Sequence, residues 1–258
     1  MSQSPGTTAW VGRLLLLLVP VLAAVSLWWK GPIPQPIEYH QFADQRTILG
    51  VPNFWDVASN LPFVIVGFLG LRTLLRGGAP GCLPELRPAY FCFFVGTALI
   101  GLGSAYYHLT PNNETLIWDR LPMTVVFMAF VAIVIGEHFR PGIGARLLPV
   151  LLLLGVLSVA YWALTERSGH GDLRPYIFVQ FVPMVLVPVI LLLYPSVFNG
   201  VGYFWAVLAS YALAKVLEHG DAPIFHCGEV LGGHALKHLA SALATFFVWL
   251  ALVRRHRR

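Results

Sequence analysis

Long apolar stretches alternate with short polar connections along this chain. Each stretch is about 20 residues, the length a helix needs to cross the hydrocarbon core of a bilayer. They predict helices near 12–29, 56–75, 88–108, 118–137, 145–165, 174–194, 200–219 and 234–253. The run from Pro175 to Ala214 is too long for one crossing and divides at the turn Tyr-Pro-Ser-Val-Phe-Asn-Gly, 194–200. The runs are continuous rather than alternating, which excludes a barrel; a helix satisfies its own backbone inside lipid. The expected fold class is therefore all-α, a polytopic membrane helix bundle. Pro62, Pro122, Pro183 and Pro188 fall inside spans and predict kinks that could open a cavity.

Composition agrees with that pattern and removes other classes. Of 258 residues, 57% are hydrophobic and 11% charged, well under the roughly one quarter charged that a soluble domain carries. The net charge of +5 does not signal nucleic acid, because the basic residues form no face and four of them, Arg254, Arg255, Arg257 and Arg258, end the chain. They act as a topology signal. About ten Lys and Arg lie at the amino terminus, after spans 2 and 4 and in the tail, against about four on the other side. Both termini are thus expected in the cytoplasm. Cys82, Cys92 and Cys227 are too widely spaced for a disulfide framework or a Cys-x-x-Cys metal pair. In the first span, Arg13, the run Leu14 to Leu18, and Ala23 and Ala24 also resemble a signal peptide; an uncleaved anchor is the preferred reading.

Ionisable groups in a bilayer cost several kcal/mol unless paired or hydrated, so their positions point to function. They gather at one depth: His108 ends the third span, Asp119 begins the fourth, Glu218 and His219 end the seventh, and His234 and His238 open the eighth. Asp56, Ser59 and Asn60 open the second span at that level, toward the outer face, while the inner ends carry mainly arginine, with Glu137 and His138 as exceptions. His234 and His238, four apart on a helix, stack on one face about 6 Å apart, close enough to share a metal ion. Nine histidines in this length would give roughly 0.3 such pairs by chance, so two interfacial histidines remain the plain alternative. His108 at matching depth supplies a third ligand, and three histidines leave a fourth tetrahedral position open, as catalytic zinc requires.

Ser104 lies one turn from His108 on the same face, where its hydroxyl could donate to a developing oxyanion. With Gly101 and Gly103 it also reads as a small-residue packing cluster. Asp119 could serve as general base and then acid, or simply sit at a helix start where the macrodipole favours a carboxylate. Glu218 and Asp221 either orient the histidines through hydrogen bonds or contact a lipid head group. The plainer reading of Glu218 is an ion pair with Lys215.

Gly-Ser-Ala-Tyr-Tyr-His (103–108), Trp-Asp-Arg-Leu-Pro-Met (118–123) and His-Ala-Leu-Lys-His (234–238) together resemble the alkaline ceramidase family of seven-helix membrane hydrolases, as does Pro-Asn-Phe-Trp-Asp-Val-Ala-Ser-Asn (52–60). The wider superfamily includes the progestin and adipoQ receptors. The resemblance implies a seven-helix domain at 39–258, preceded by an anchor helix and linker at 1–38 outside the family pattern. It implies zinc on His108, His234 and His238, Ser104 and Asp119 at the reacting centre, and hydrolysis of a ceramide amide to a sphingoid base and a fatty acid. The family's calcium site matches poorly. Only Asp44 and Asn53 fall at its positions, and calcium prefers six or more oxygens with several carboxylates, so a calcium site here is doubtful.

The expected protein is a zinc-dependent integral membrane amidohydrolase whose partners are a lipid substrate and the bilayer, with no nucleic acid and no protein partner. An esterase or lipid-remodelling enzyme would use the same groups. A receptor-like lipid sensor with structural zinc is a further alternative, disfavoured by the short loops. A transporter would leave the histidine and aspartate spacing a coincidence.

Overall fold

The structure, a computed structural model, describes residues 7–258, with side chains from Trp10 onward. Among the described residues it is helical with no extended strand. The helices are α1 (Thr7–Lys30), α2 (Phe54–Ala58), α3 (Leu61–Leu75), α4 (Arg87–Leu109), α5 (Asn113–His138), α6 (Pro141–Arg167), α7 (Arg174–Leu193), α8 (Gly202–His219), α9 (Asp221–Gly228) and α10 (Gly233–Arg254). Seven segments are long and apolar enough to cross a membrane, with α2 and α3 together making one. The eighth expected span, α8, forms where predicted, but Lys215, Glu218 and His219 in its last turns keep it below that apolarity. The protein is a multi-pass membrane helix bundle.

Prolines start several helices, where the missing N–H is no loss: Pro62 opens α3, Pro88 α4, Pro141 α6 and Pro175 α7. Pro62 thus corrects one expectation. It does not kink a continuous span; its ring disfavours a helical carbonyl four residues back, at Ala58, and α2 ends there. The interruption frees Ser59 and Asn60 to turn inward. Pro122, Pro183 and Pro188 do lie inside helices, as do Pro20 and Pro149.

The second correction concerns α5, expected from 118 on apolarity. It begins at Asn113 because Asn112 caps it: its Oδ1 accepts from the backbone N–H groups of Glu114 and Thr115, both at 2.9 Å, and Thr115 Oγ1 accepts from Asn112 N at 3.2 Å. Asp119 therefore lies in the second turn, inside the helix rather than at its start.

α4, α5 and α6 pack in sequence, α3 lies against α4, and α10 closes the bundle against α3 and α8. α1 rests mainly on α7 at the periphery, and much of its surface faces outward as Leu14, Leu17, Val21 and Leu22. α7 and α8 share much less contact than α4 and α5 or α8 and α10, and a cavity reaches into the gap between them, bordered by Phe181 and Tyr211. An apolar core of Phe93, Phe94, Phe130, Phe204, Val248 and Leu252 fills one end of the bundle. A smaller cluster of Phe42, Tyr107, Leu116, Trp162 and Tyr176 roofs the other.

Candidate active site

Two glycines bring the site's helices together. A Cβ on Gly103 would stand 2.1 Å from the carbonyl oxygen of Trp118, so α4 and α5 touch backbone to backbone beside Ser104 and Asp119. A Cβ on Gly233 would be 2.2 Å from Leu217 O, which seats the start of α10 on the end of α8. Small residues permit such approach without opening a void.

The result gathers His108 from α4 with His234 and His238 from α10. Their ring centroids are 4.9 Å apart in every pairing, all three side chains are buried, and one nitrogen from each falls within 4.8 Å of the others. This is the single group of metal-competent side chains found among the described residues. Nδ1 of His108 is buried with no partner among the described residues. Ser59 Oγ donates to the carbonyl of Asp56 at 3.3 Å and lies 2.8 Å from His238 Nδ1. In the tautomer whose Nδ1–H donates to that hydroxyl, His238 Nε2 keeps its lone pair for an ion. Three converging buried imidazoles, one with an unpartnered ring nitrogen and one beside a hydroxyl, fit a divalent metal ion.

Ser104 and Asp119 line the polar end of the adjoining cavity, about 280 Å³ in volume, together with His238. Deeper in, Phe93, Phe130 and Val207 make the wall apolar. All five residues expected at the reacting centre thus meet in one place.

The flanking acids divide. Glu218 accepts from Lys215 at 2.6 Å and from Lys237 at 2.9 Å, so the expected local ion pair forms and gains a second lysine. Lys237 also lies 3.1 Å from His234 Nε2 and ties the histidines to α8. Asp221 acts on the backbone: Oδ1 accepts from His234 N and Oδ2 from Ala43 N, both at 2.9 Å. It fixes the first turn of α10 and the incoming loop together, which positions the histidine without touching its ring.

Asp44 and Asn53 do not converge on a shared ligand. The Arg46 guanidinium embraces Asp44, Nε to Oδ1 at 2.7 Å and Nη2 to Oδ2 at 2.6 Å, and also donates to the carbonyls of Glu229 and Val230. Burial would raise the Asp44 carboxyl, but the hydrogen bonds and charge of Arg46 outweigh it and hold the group below its ordinary range. Asn53, in a left-handed conformation at φ 47°, spends its amide on the carbonyl of His108 at 2.8 Å. These residues do not fit calcium: a fixed cation already sits on the one carboxylate, and the asparagine faces the other way.

Sequence reading missed two site residues. Phe42 packs its ring 4.6 Å from His108 and 4.5 Å from His234 and shields them; a lone phenylalanine in a loop gives no sign of this. Arg120 lines the cavity, buried, beside Asp119. A charge within an apolar span was itself a signal.

Relatives carry the same names as the resemblance. A Dictyostelium discoideum relative, dcd3A, provisionally named an alkaline ceramidase, is 24% identical over 124 residues, covering 40% of this chain and 43% of its own. Mouse alkaline ceramidase 3 is 25% identical over 114 residues, 44% of this chain and 39% of its own. The chain spans about two fifths of the length of these curated relatives. The profile of the family described as Ceramidase matches residues 49–197, more than half of the chain. That segment contains Ser104, His108 and Asp119, and the fold brings His234 and His238 to them from beyond it. By this match the chain belongs to the ceramidase family.

Proposed function

We propose that this protein is a zinc-dependent integral membrane amidohydrolase that cleaves the N-acyl amide of a ceramide-type lipid, giving a sphingoid base and a fatty acid. The observation that carries the reading is the meeting of three buried histidines with Ser104 and Asp119 at the polar end of an apolar cavity. The names of the relatives point the same way. His108, His234 and His238 would hold the ion. Bound there, zinc would act as a Lewis acid and bring water toward ionisation near neutral pH.

The chain's own groups do the rest. The phenylalanine-lined part of the cavity takes an aliphatic chain and excludes bulk water, so the amide comes to rest at the level of Ser104 and Asp119. Asp119 accepts a proton from the attacking water as its oxygen bonds to the carbonyl carbon. Ser104 donates its hydroxyl hydrogen bond to the carbonyl oxygen as that atom gains charge. When the C–N bond breaks, Asp119 returns the proton to the leaving nitrogen, and the products are a carboxylic acid and an amine. Ser59 and Asp221 keep the histidines in register.

With both termini in the cytoplasm, the reaction takes place toward the outer face. Residues 1–38 form an anchor and linker, and 39–258 the hydrolase domain. Metal content of the purified protein, with mass spectrometry of products from a mixed ceramide panel, tests the reading. One zinc per chain with free fatty acid and sphingoid base released is the expected result. Loss of metal and product together in His238→Ala ties the two halves to one site. A wild-type protein that holds zinc but releases neither product sinks the amidase assignment.

A further inference from the structure

Arg120 is an intramembrane guanidinium that no carboxylate grips among the described residues. It is 4% exposed and forms no ion pair among the described residues. Its Nη2 donates to Gln35 Oε1, a neutral partner. Its plane is held among rings, with Cζ 4.3 Å from the centroid of Trp162, 4.7 Å from Tyr176 and 5.5 Å from Tyr39. These contacts fix the cation and soften its desolvation. They do not satisfy it: Nη1 is buried with no hydrogen-bond partner among the described residues, on a side chain that lines the cavity.

The charges around the cavity leave room for one more anion. Its wall carries three cationic residues, Arg120, Lys215 and Lys237, against two carboxylates, Asp119 and Glu218. Glu218 is shared by both lysines, and Asp119 makes no ion pair with Arg120 among the described residues. A buried charge left unpaired is costly, and removing that cost favours an incoming ligand of opposite sign. A guanidinium is shaped for oxyanions, whose two oxygens match its planar donors.

We infer that Arg120 is an oxyanion-binding subsite of this cavity, taking the carboxylate or phosphate oxygens of a lipid whose aliphatic chain lies in the apolar part. The inference rests on the hydrolase reading only in taking the cavity as a lipid site. Two sources supply the chemistry: the carboxylate of a released fatty acid, or an anionic head group on the lipid that enters. In the first case Arg120 holds product; in the second it selects an anionic substrate over a neutral one. The rigid aromatic cage suits either, because the donor is positioned before the ligand arrives.

Equilibrium binding to the purified full-length protein in nanodiscs, with zinc content measured on the same sample, tests it. The probes are myristate against tetradecanol, and a ceramide phosphate against the corresponding ceramide. In at least one pair the anionic lipid is expected to bind tenfold or more tighter. That preference should collapse in Arg120→Gln and return in large part in Arg120→Lys, which keeps the charge. A preference in the myristate pair assigns the subsite to product, and one in the phosphate pair assigns it to the head group. No preference in either wild-type pair overturns the inference, even if Arg120→Gln fails to fold. So does a preference that survives Arg120→Gln. Absence of zinc or of turnover would count against the hydrolase while leaving these binding ratios to decide the subsite.

Discussion

Two buried polar clusters sit at opposite ends of the bundle and are built on opposite terms. At the end away from the histidines, Arg255 grips Glu137 with two hydrogen bonds of 2.8 Å, and Tyr90 bridges them at 2.7 and 2.9 Å. The guanidinium lies 4.4 Å from the centroid of Phe204 and 5.0 Å from that of Phe198. Each of these side-chain polar groups has a partner. The histidine end is the reverse. Of nine buried side-chain polar atoms without a partner among the described residues, five belong to Asp56, Asn60, His108 and Arg120. Leaving such atoms unpaired costs free energy that packing elsewhere must offset. A saturated cluster has nothing left to offer a ligand and works as a staple between the C-terminal tail and α5. An unsaturated one is incomplete without something to bind.

Variants at the two ends should break in different ways. The largest effect is expected at Asp119→Asn, where turnover falls about 10³-fold with zinc content intact, read by product formation and metal analysis on one preparation. Full turnover in this variant would remove Asp119 from the proton path. Next is Glu137→Ala, which strands Arg255 in the core and should cost about 3–5 kcal/mol of stability. The thermal midpoint drops while activity per folded molecule holds, and an unchanged midpoint would refute the staple. Ser104→Ala tests the oxyanion donor, with kcat expected to fall about 10²-fold and metal affinity unmoved.

Smaller still is Ser59→Ala, which frees the ring of His238 and should weaken zinc binding about 10–100-fold, measured by competition with a chelator. The weakest test is pH. Asp44 and Asp172 lie outside the spans; burial pushes both carboxyls up, but the bonds from Arg46 and Arg174 outweigh it and hold both below the ordinary aspartate range. Their ionised forms therefore stabilise the fold fully above that range, and the contribution is lost as pH falls through the depressed values. The thermal midpoint should decline as pH falls below about 4, and less steeply in Asp44→Asn, in which one of the two titrations is gone. Equal slopes in the two proteins would show that the Asp44–Arg46 contact contributes nothing.

The extent to which the site could be read in advance depended on how each residue signals itself. His234 and His238 announce their proximity through helical spacing, and His108, Ser104 and Asp119 through depth in the membrane, since burying a polar group in lipid is costly enough to be informative. Boundaries were less legible. Apolarity started α5 too late because its first turn is polar, and the capping box at Asn112 and Thr115 decides where it begins. The break after Ala58 is visible only once Pro62 is treated as a helix start. Glu137 and His138 stood out as exceptions at the inner end, but nothing local links position 137 to 255.

Chain chemistry alone settles the solvent, the number and rough extent of the long helices, and the depth at which the polar residues lie, because hydrophobic length and desolvation act residue by residue. Which polar groups end up paired is a different kind of fact. Arg46 on Asp44, Lys237 on Glu218, Ser59 on His238 and Arg120 left open all depend on contacts between segments far apart in sequence, set by where glycines let helices touch and where prolines interrupt them. Pairing needs angstrom-scale geometry, and only the folded bundle supplies it.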